Sequence, residues 1–150
     1  MTLAIIVLEL LAILANFSLP FCQKMSLRYE AAGVVQQMSQ VRAAAESARL
    51  QRGAWPEDRG PGEAPPELAA YLPPGFSFGQ SDYQLDWEHW TLSEGNALDA
   101  PGAELAGVTV VAHDPRLAAM VGRLLREGET RLTLGNRTTL VISEPGQSGL

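Results

Sequence analysis

The sequence has little of the chemistry that metal and redox sites need: one cysteine, Cys22, and two histidines, His89 and His113, among 150 residues. A single cysteine excludes an intrachain disulfide framework and a zinc site built on cysteine pairs. Two histidines exclude a multi-histidine metal centre within one chain. We interpret Cys22 as a small apolar residue of a helix, and we predict no metal and no cofactor.

Recognisable catalytic motifs are also absent. The sequence contains no glycine-rich phosphate loop, no CxxC pair, no HExxH and no GxSxG. We interpret DWEHW, residues 86–90, as two core tryptophans separated by solvated acids rather than as a weak metal cluster. Asp114 is interpreted as a helix cap and not as a catalytic partner of His113, and the acidic loop residues lack EF-hand spacing. The sequence therefore predicts a protein that is not an enzyme.

Basic residues are scarce and scattered. Eleven Lys and Arg stand against 17 Asp and Glu, which gives a net charge of -6. Residues 1–53 hold five basic and three acidic side chains (+2), whereas residues 54–150 hold six and fourteen (-8). An acidic globular part argues against a nucleic-acid surface, which needs clustered positive charge to displace counterions.

Residues 1–23 carry almost no charge of either sign, since Glu9 is their single acidic or basic side chain. The apolar run from Thr2 to Cys22 has about 21 residues, close to the ~20 that span a bilayer as a helix. No basic residue precedes the run and no small-x-small cleavage site ends it, unlike a secretory signal peptide. We predict a hydrophobic stem over residues 1–23. A carboxylate at mid-bilayer is costly, so Glu9 is either neutral and locally hydrogen-bonded or in contact with a neighbouring subunit.

The helical pattern continues past Pro20, where a missing hydrogen bond predicts a kink. Residues 24–53 form an amphipathic continuation of the same helix, which Gly53 ends. Its apolar residues recur at spacings of three and four and share one face: Val34, Met38, Val41, Ala45 and Ala48.

Residues 54–150 are expected to form a globular α+β head. We predict a proline-bracketed short helix to Leu72, and a strand over residues 83–87 whose phase changes at Glu88 and His89. The remaining predictions are an initial strand in FSFGQ, a loop over 93–107, a strand in GVTVVAH, a helix capped by Asp114 and stopped by Gly128, and a hairpin turning at Gly135 and Asn136. Asn136-Arg137-Thr138 matches a glycosylation acceptor, interpreted as coincidence at that turn.

The stretch TLAIIVLELLAILANFSLPFCQ, the alanine-rich helix after it and RGAWPED together resemble the N-terminal helix of type IV pilins and type II secretion pseudopilins. The resemblance covers about the first 58 residues. It implies a pilin-like fold, a long helix packed on a mostly antiparallel sheet with one additional helix. It also implies assembly into a filament, with Glu9 in the family's acidic role and the stem side chains in the filament core: Ile6, Leu10, Ile13, Leu14 and Phe17.

Two features depart from that family. Its short basic leader does not precede Met1, so the chain is the mature form, has a different true start, or has lost processing. Its acidic residue lies where Ile5 stands here, a turn before Glu9. Lys24 and Arg28 also follow the run on the side of an outward-facing head, against the positive-inside rule, and a basic leader would remove that conflict.

The leading hypothesis is a structural filament subunit. Its partners would be further copies or other pilins, the bacterial inner membrane and the assembly machinery of a pilus or secretion system. The head would be periplasmic before assembly, and the filament periplasmic or extracellular. The alternative is a single-pass membrane protein with a periplasmic adaptor or sensor domain and no filament. A secreted enzyme is the weakest of the three hypotheses.

Overall fold

The computed structural model describes the backbone of residues 2–91 and 104–143, and their side chains except those of residues 2–4, 15–20 and 143. This part of the chain is α+β, with a long N-terminal helix and a four-stranded antiparallel sheet. In chain order, the elements are α1 (Thr2–Arg52), a 3-10 turn (Pro66–Leu68), β1 (Tyr83–Thr91), β2 (Glu104–Ala112), α2 (Pro115–Leu124), β3 (Arg131–Leu134) and β4 (Arg137–Ser143).

Helix α1 is continuous over 51 residues, which corresponds to about 75 Å at ~1.5 Å per residue. The predicted single helix running through both the stem and its amphipathic continuation is confirmed. Gly53 ends it with a positive φ of 76°, and its N–H donates to the Arg49 carbonyl at 2.8 Å. Glycine adopts this left-handed conformation without a Cβ penalty. The bend expected at Pro20 stays a prediction.

The second half of α1 is built into the core of the head. The five side chains predicted to share its apolar face are fully buried, in one cluster with residues of the sheet and of α2. Their spacing places them on one stripe, so a single helix face meets the inner face of the sheet. The stripe is the one predicted: Val34, Met38, Val41, Ala45 and Ala48.

The sheet has the strand order β1-β2-β4-β3, with all neighbours antiparallel. Strand β1 pairs with β2 in one unbroken register from Tyr83↔Ala112 to Thr91↔Glu104. The predicted phase change at Glu88 and His89 is therefore wrong. The prediction assumed that Trp90 is a core residue. Trp90 instead lies on the outer face of the sheet and is 36% exposed. The irregularity of this sheet is a register shift at Ala106 and Gly107, between β2 and β4.

Two elements match their local signals closely. Asp114 caps α2, because its Oδ1 accepts a hydrogen bond from the Arg116 backbone N–H at 2.9 Å, and Pro115 occupies the first position. The hairpin β3–β4 turns at Gly135 and Asn136, where Gly135 has a φ of 60°. Both predictions are confirmed.

Four boundaries differ from the predictions. The short helix is one 3-10 turn that stops at Leu68, and FSFGQ contributes only the isolated bridge of Gly79 with Gln84. Helix α2 ends at Leu124, four residues before Gly128, because Leu125 is already extended. Strand β2 begins at Glu104, inside the segment expected to be loop, while residues 93–103 of that segment lie outside the described part.

The turn Gly53-Ala54-Trp55-Pro56 anchors the end of α1 to the sheet. Trp55 is buried between the Arg49 guanidinium, 4.4 Å from its ring centroid, and the Trp87 ring, at 5.7 Å. Trp87 Nε1 donates to the Pro56 carbonyl at 3.0 Å. Cation–π and aromatic contacts of this kind add to the area that the tryptophans bury. The direction of α1 is thus fixed relative to the head at its C-terminal end.

Candidate assembly site

The stem, residues 1–23, supplies the first half of α1, which begins at Thr2. Between residues 5 and 14 its large aliphatic side chains are 49–73% exposed, in every direction around the helix. Such a contiguous apolar surface on a folded chain marks an interaction site. The exposed residues are Ile5, Ile6, Val7, Leu8, Leu10, Leu11, Ile13 and Leu14.

Four of the five aliphatic and aromatic residues assigned to subunit assembly are among these exposed side chains: Ile6, Leu10, Ile13 and Leu14. Phe17 and the predicted kink residue Pro20 lie among the residues whose side chains are not described. At ~100° per residue, the four exposed residues and Glu9 fall within an arc of about 140°. One face of the helix thus combines the predicted contacts with the carboxylate.

Glu9 is exposed and is the one acidic or basic side chain in the sequence of the stem. The ion pairs in the described part of the chain do not include it. Glu9 lies at one edge of the face, within a helical turn of Ile6 and Ile13. A partner group from outside this chain therefore has open access to its carboxylate.

Among the residues that the structure describes, none of the helices has a segment both long enough and apolar enough to cross a bilayer.

The outer face of the sheet carries a polar cluster that sequence reasoning missed. Asp86 is 3% exposed, and its Oδ2 accepts a hydrogen bond from the Arg137 guanidinium at 3.1 Å. Glu88 Oε1 lies 3.7 Å from the same guanidinium, and its Oε2 accepts from the Thr109 hydroxyl. Thr109 in turn shares a hydrogen bond of 2.7 Å with Thr139. The cluster thus links three adjacent strands.

Asp86 is the member of this cluster whose pKa is shifted. Burial, with repulsion from Glu88 and Asp58, raises its pKa to about 6, against the lowering effect of Arg137. Its Oδ1 is buried and has no hydrogen-bond partner. The signal in the sequence was the alternation of YQLDWE, which places Gln84, Asp86 and Glu88 on one face of β1. The alternation of polar and apolar residues does not reveal that Asp86 is buried on this outer face.

The interpretation of DWEHW needs correction at two residues. Trp87 is in the core as predicted, but Trp90 is on the outer surface, and Asp86 is buried rather than solvated. His89 Nε2 is buried 3.9 Å from Glu104 Oε2. Among the described residues no group of three or more potential ligands is arranged to hold a metal ion.

The other residues considered as candidate sites are Asp114 with His113, and the acceptor sequence Asn136-Arg137-Thr138. The contacts of Asp114, Asn136 and Thr138 are with neighbouring parts of the fold. The Arg116 side chain and backbone donate to the Asp114 carboxylate and lower its pKa, while His113 is exposed. Asn136 Nδ2 donates to the Ala112 carbonyl at 2.9 Å, and Thr138 of the same acceptor sequence is fully buried. These side chains hold β2, α2 and the hairpin together. Among the described residues, more than half of the large apolar side chains that are exposed belong to the stem.

The fold and this surface define an α+β head carried by a helix whose free half is apolar. No protein-family model, curated protein or solved structure matches the chain.

Proposed function

We propose that the chain is a structural, self-assembling subunit of a type IV pilus-like or type II secretion pseudopilus filament, held in the inner membrane by its stem before assembly. The observation that carries the proposal is the exposure of the stem's described side chains, residues 5–14, on every face of a helix whose other half is the centre of the head. Such an apolar rod, about 30 Å long, requires an apolar environment. Lipid provides it before assembly, and neighbouring stems provide it in the filament.

The long helix suits this exchange because it runs without a break from the stem into the head. The head is attached to it through Val34, Met38 and Val41 and through the Trp55 contacts, so each stem carries its head with it. Moving from lipid to protein brings no hydrophobic gain, since lipid tails are as apolar as leucine. Assembly therefore depends on side-chain packing between stems and on Glu9, whose charge is unfavourable in hydrocarbon.

The experiment separates membrane insertion from assembly. Cells that carry the relevant assembly machinery are fractionated into carbonate-resistant membranes and sheared surface filaments, and the chain is measured in both. We expect wild type in both pools. Leu10→Ala/Ile13→Ala keeps the stem apolar and helical, so it stays in membranes while its filament pool falls. Leu132→Ala, an equally exposed leucine on β3, is the matched control.

The other hypotheses give different distributions. A chain found in membranes but never in sheared filaments, with the machinery active on its own pilins, is a single-pass adaptor or sensor protein. A chain found in neither pool contradicts the filament and the adaptor hypotheses together.

A further inference from the structure

We infer that a band of basic and aromatic side chains at the head end of the stem, here named the collar, binds the anionic headgroups of the membrane that holds the chain. The inference rests on the proposed function, because it requires the stem to lie in a membrane before assembly. The collar consists of five exposed side chains of α1: Phe21, Lys24, Met25, Arg28 and Tyr29.

The collar occupies one side of the helix. At ~100° per residue its five side chains fall within an arc of about 140°. The nearest side chains that pack on the head are those of Leu27, Ala31 and Val34, and this face is centred roughly 120° away. The centre of the collar is therefore turned away from the head, and Tyr29 retains 86% of its accessible surface.

The two positive charges of the collar are not neutralised within the described part of the chain. Lys24 and Arg28 are one helical turn apart on the same face, and neither takes part in the ion pairs found there. No acidic residue occurs in the sequence between Glu9 and Glu30. The pair is a positive site open to an external anion.

The collar lies at the depth of a headgroup layer. The apolar run from Thr2 to Cys22 measures about 31 Å as a helix, close to the ~30 Å hydrocarbon core. Lys24 and Arg28 follow about 3 and 9 Å further along, and a headgroup layer is about 5–8 Å thick. Ala31, the first buried residue of the head, is about 13 Å beyond Cys22. The buried core of the head thus begins about 5 Å beyond the headgroup layer.

The chemistry of the collar favours lipid over the acidic head of a second copy. Either partner would attract Lys24 and Arg28. However, Phe21, Met25 and Tyr29 are interleaved with the charges, and amphipathic and apolar side chains in that arrangement match the boundary between acyl chains and headgroups. An acidic protein surface would leave them exposed. The ligand is therefore the phosphate of an anionic phospholipid, phosphatidylglycerol being the simplest probe.

The native single thiol permits a direct test with the full chain. Cys22 is exposed beside the collar, so it is labelled with an environment-sensitive fluorophore and the chain is reconstituted into phosphatidylcholine vesicles. Nitroxide-bearing phosphatidylglycerol or phosphatidylcholine is then added at equal mole fraction, and quenching is compared. We expect preferential quenching by phosphatidylglycerol, up to about fivefold for each basic side chain, that weakens as salt shortens the Debye length.

Two variants with the same change in net charge locate the effect. Lys24→Gln/Arg28→Gln should bring the ratio of quenching close to one, whereas Arg59→Gln/Arg123→Gln on the exposed head should leave it at the wild-type value. Equal ratios for these variants, or no preference in the wild type, would overturn the inference. So would a collar variant that alters cross-linking between copies and leaves lipid preference unchanged.

The same experiment distinguishes an error in the proposed function from an error in the role of the collar. If the chain does not co-float with neutral vesicles, and Cys22 stays in water, the membrane stage itself is wrong. If the chain inserts into neutral vesicles and shows no preference for phosphatidylglycerol, only the role of the collar is wrong.

Discussion

Asp86 shows how one buried carboxylate affects the energetics of the head. It faces outward from β1, yet it is almost fully removed from solvent, with Arg137 on one oxygen and nothing on the other. Burial of a carboxylate favours its neutral form, and a nearby guanidinium favours the charged form. The first effect is larger here, since the pKa of Asp86 is raised from 3.8 to about 6.

The head should therefore lose stability as the pH rises through the range in which Asp86 ionises. The folded protein binds a proton more tightly than the unfolded chain, so this contribution is complete below about pH 4 and disappears by about pH 7. A shift of this size corresponds to about 1–3 kcal/mol. The measurement compares urea unfolding of wild type and Asp86→Asn between pH 4 and 8, with Glu127→Gln as a surface control. Parallel profiles for wild type and Asp86→Asn would contradict it.

Two glycines should respond to alanine in opposite directions. A Cβ on Gly122 of α2 would lie 2.6 Å from Thr133 Oγ1, whereas one on Gly33 of α1 meets nothing within 4 Å. Gly122→Ala should destabilise the head by about 1–3 kcal/mol through overpacking. Gly33→Ala should stabilise it by about 0.5–1 kcal/mol through helix propensity. Chemical denaturation in detergent measures both, and adding Thr133→Ala to Gly122→Ala should recover part of the loss.

At the scale of elements, α1 is divided by environment and not by conformation. Its stem is exposed and its second half is the buried centre of the head, within one unbroken helix. The stripe through Met38 packs in the same cluster as residues of β2 and α2. The core of the head therefore depends on the second half of α1. That half has the same helical conformation as the exposed stem and differs from it in being buried.

Met38→Asp should destabilise the head strongly. The fully buried thioether would be replaced by an unpaired charge, and a cavity would form beside it, for a loss of at least about 3 kcal/mol. Thermal unfolding of the full chain in detergent, followed by near-UV circular dichroism, reports packing in the head. Gln36→Asp, on the exposed side of the same helix, is the control, expected within about 0.5 kcal/mol of wild type. Equal melting of the two variants would show that the stripe does not hold the head.

Elements with strong local signals were predictable from the sequence. Periodicity specifies α1, the Asp114-Pro115 cap specifies the start of α2, and Gly135 specifies the hairpin turn. Tertiary contacts decided the rest. The phase of β1 could not be read because Trp90 is exposed and Asp86 is buried, which reverses the usual preference of each residue type.

At the scale of the whole molecule, the candidate site follows from an asymmetry that the sequence already contains. Residues 1–23 have one charged side chain and residues 54–150 carry a balance of -8. The structure adds that the described side chains of the apolar end, residues 5–14 and 21–23, stay outside the folded head. Which residue of the stem contacts which neighbour depends on a second copy and cannot be derived from a single chain, so Glu9 stays a prediction.

Glu9 gives the most direct test of assembly. A carboxylate kept in an apolar stem implies a cationic partner in the assembled state, such as the α-amino group of a neighbouring copy. Glu9→Gln removes the charge and retains most of the volume, so membrane insertion should be unchanged or improved while incorporation into filaments falls. Fractionation into membrane and sheared-filament pools measures both, with Glu127→Gln on the exposed head as control. Equal incorporation of Glu9→Gln and wild type would show that the stem tolerates Glu9 without using it, and stem packing alone would then have to drive assembly.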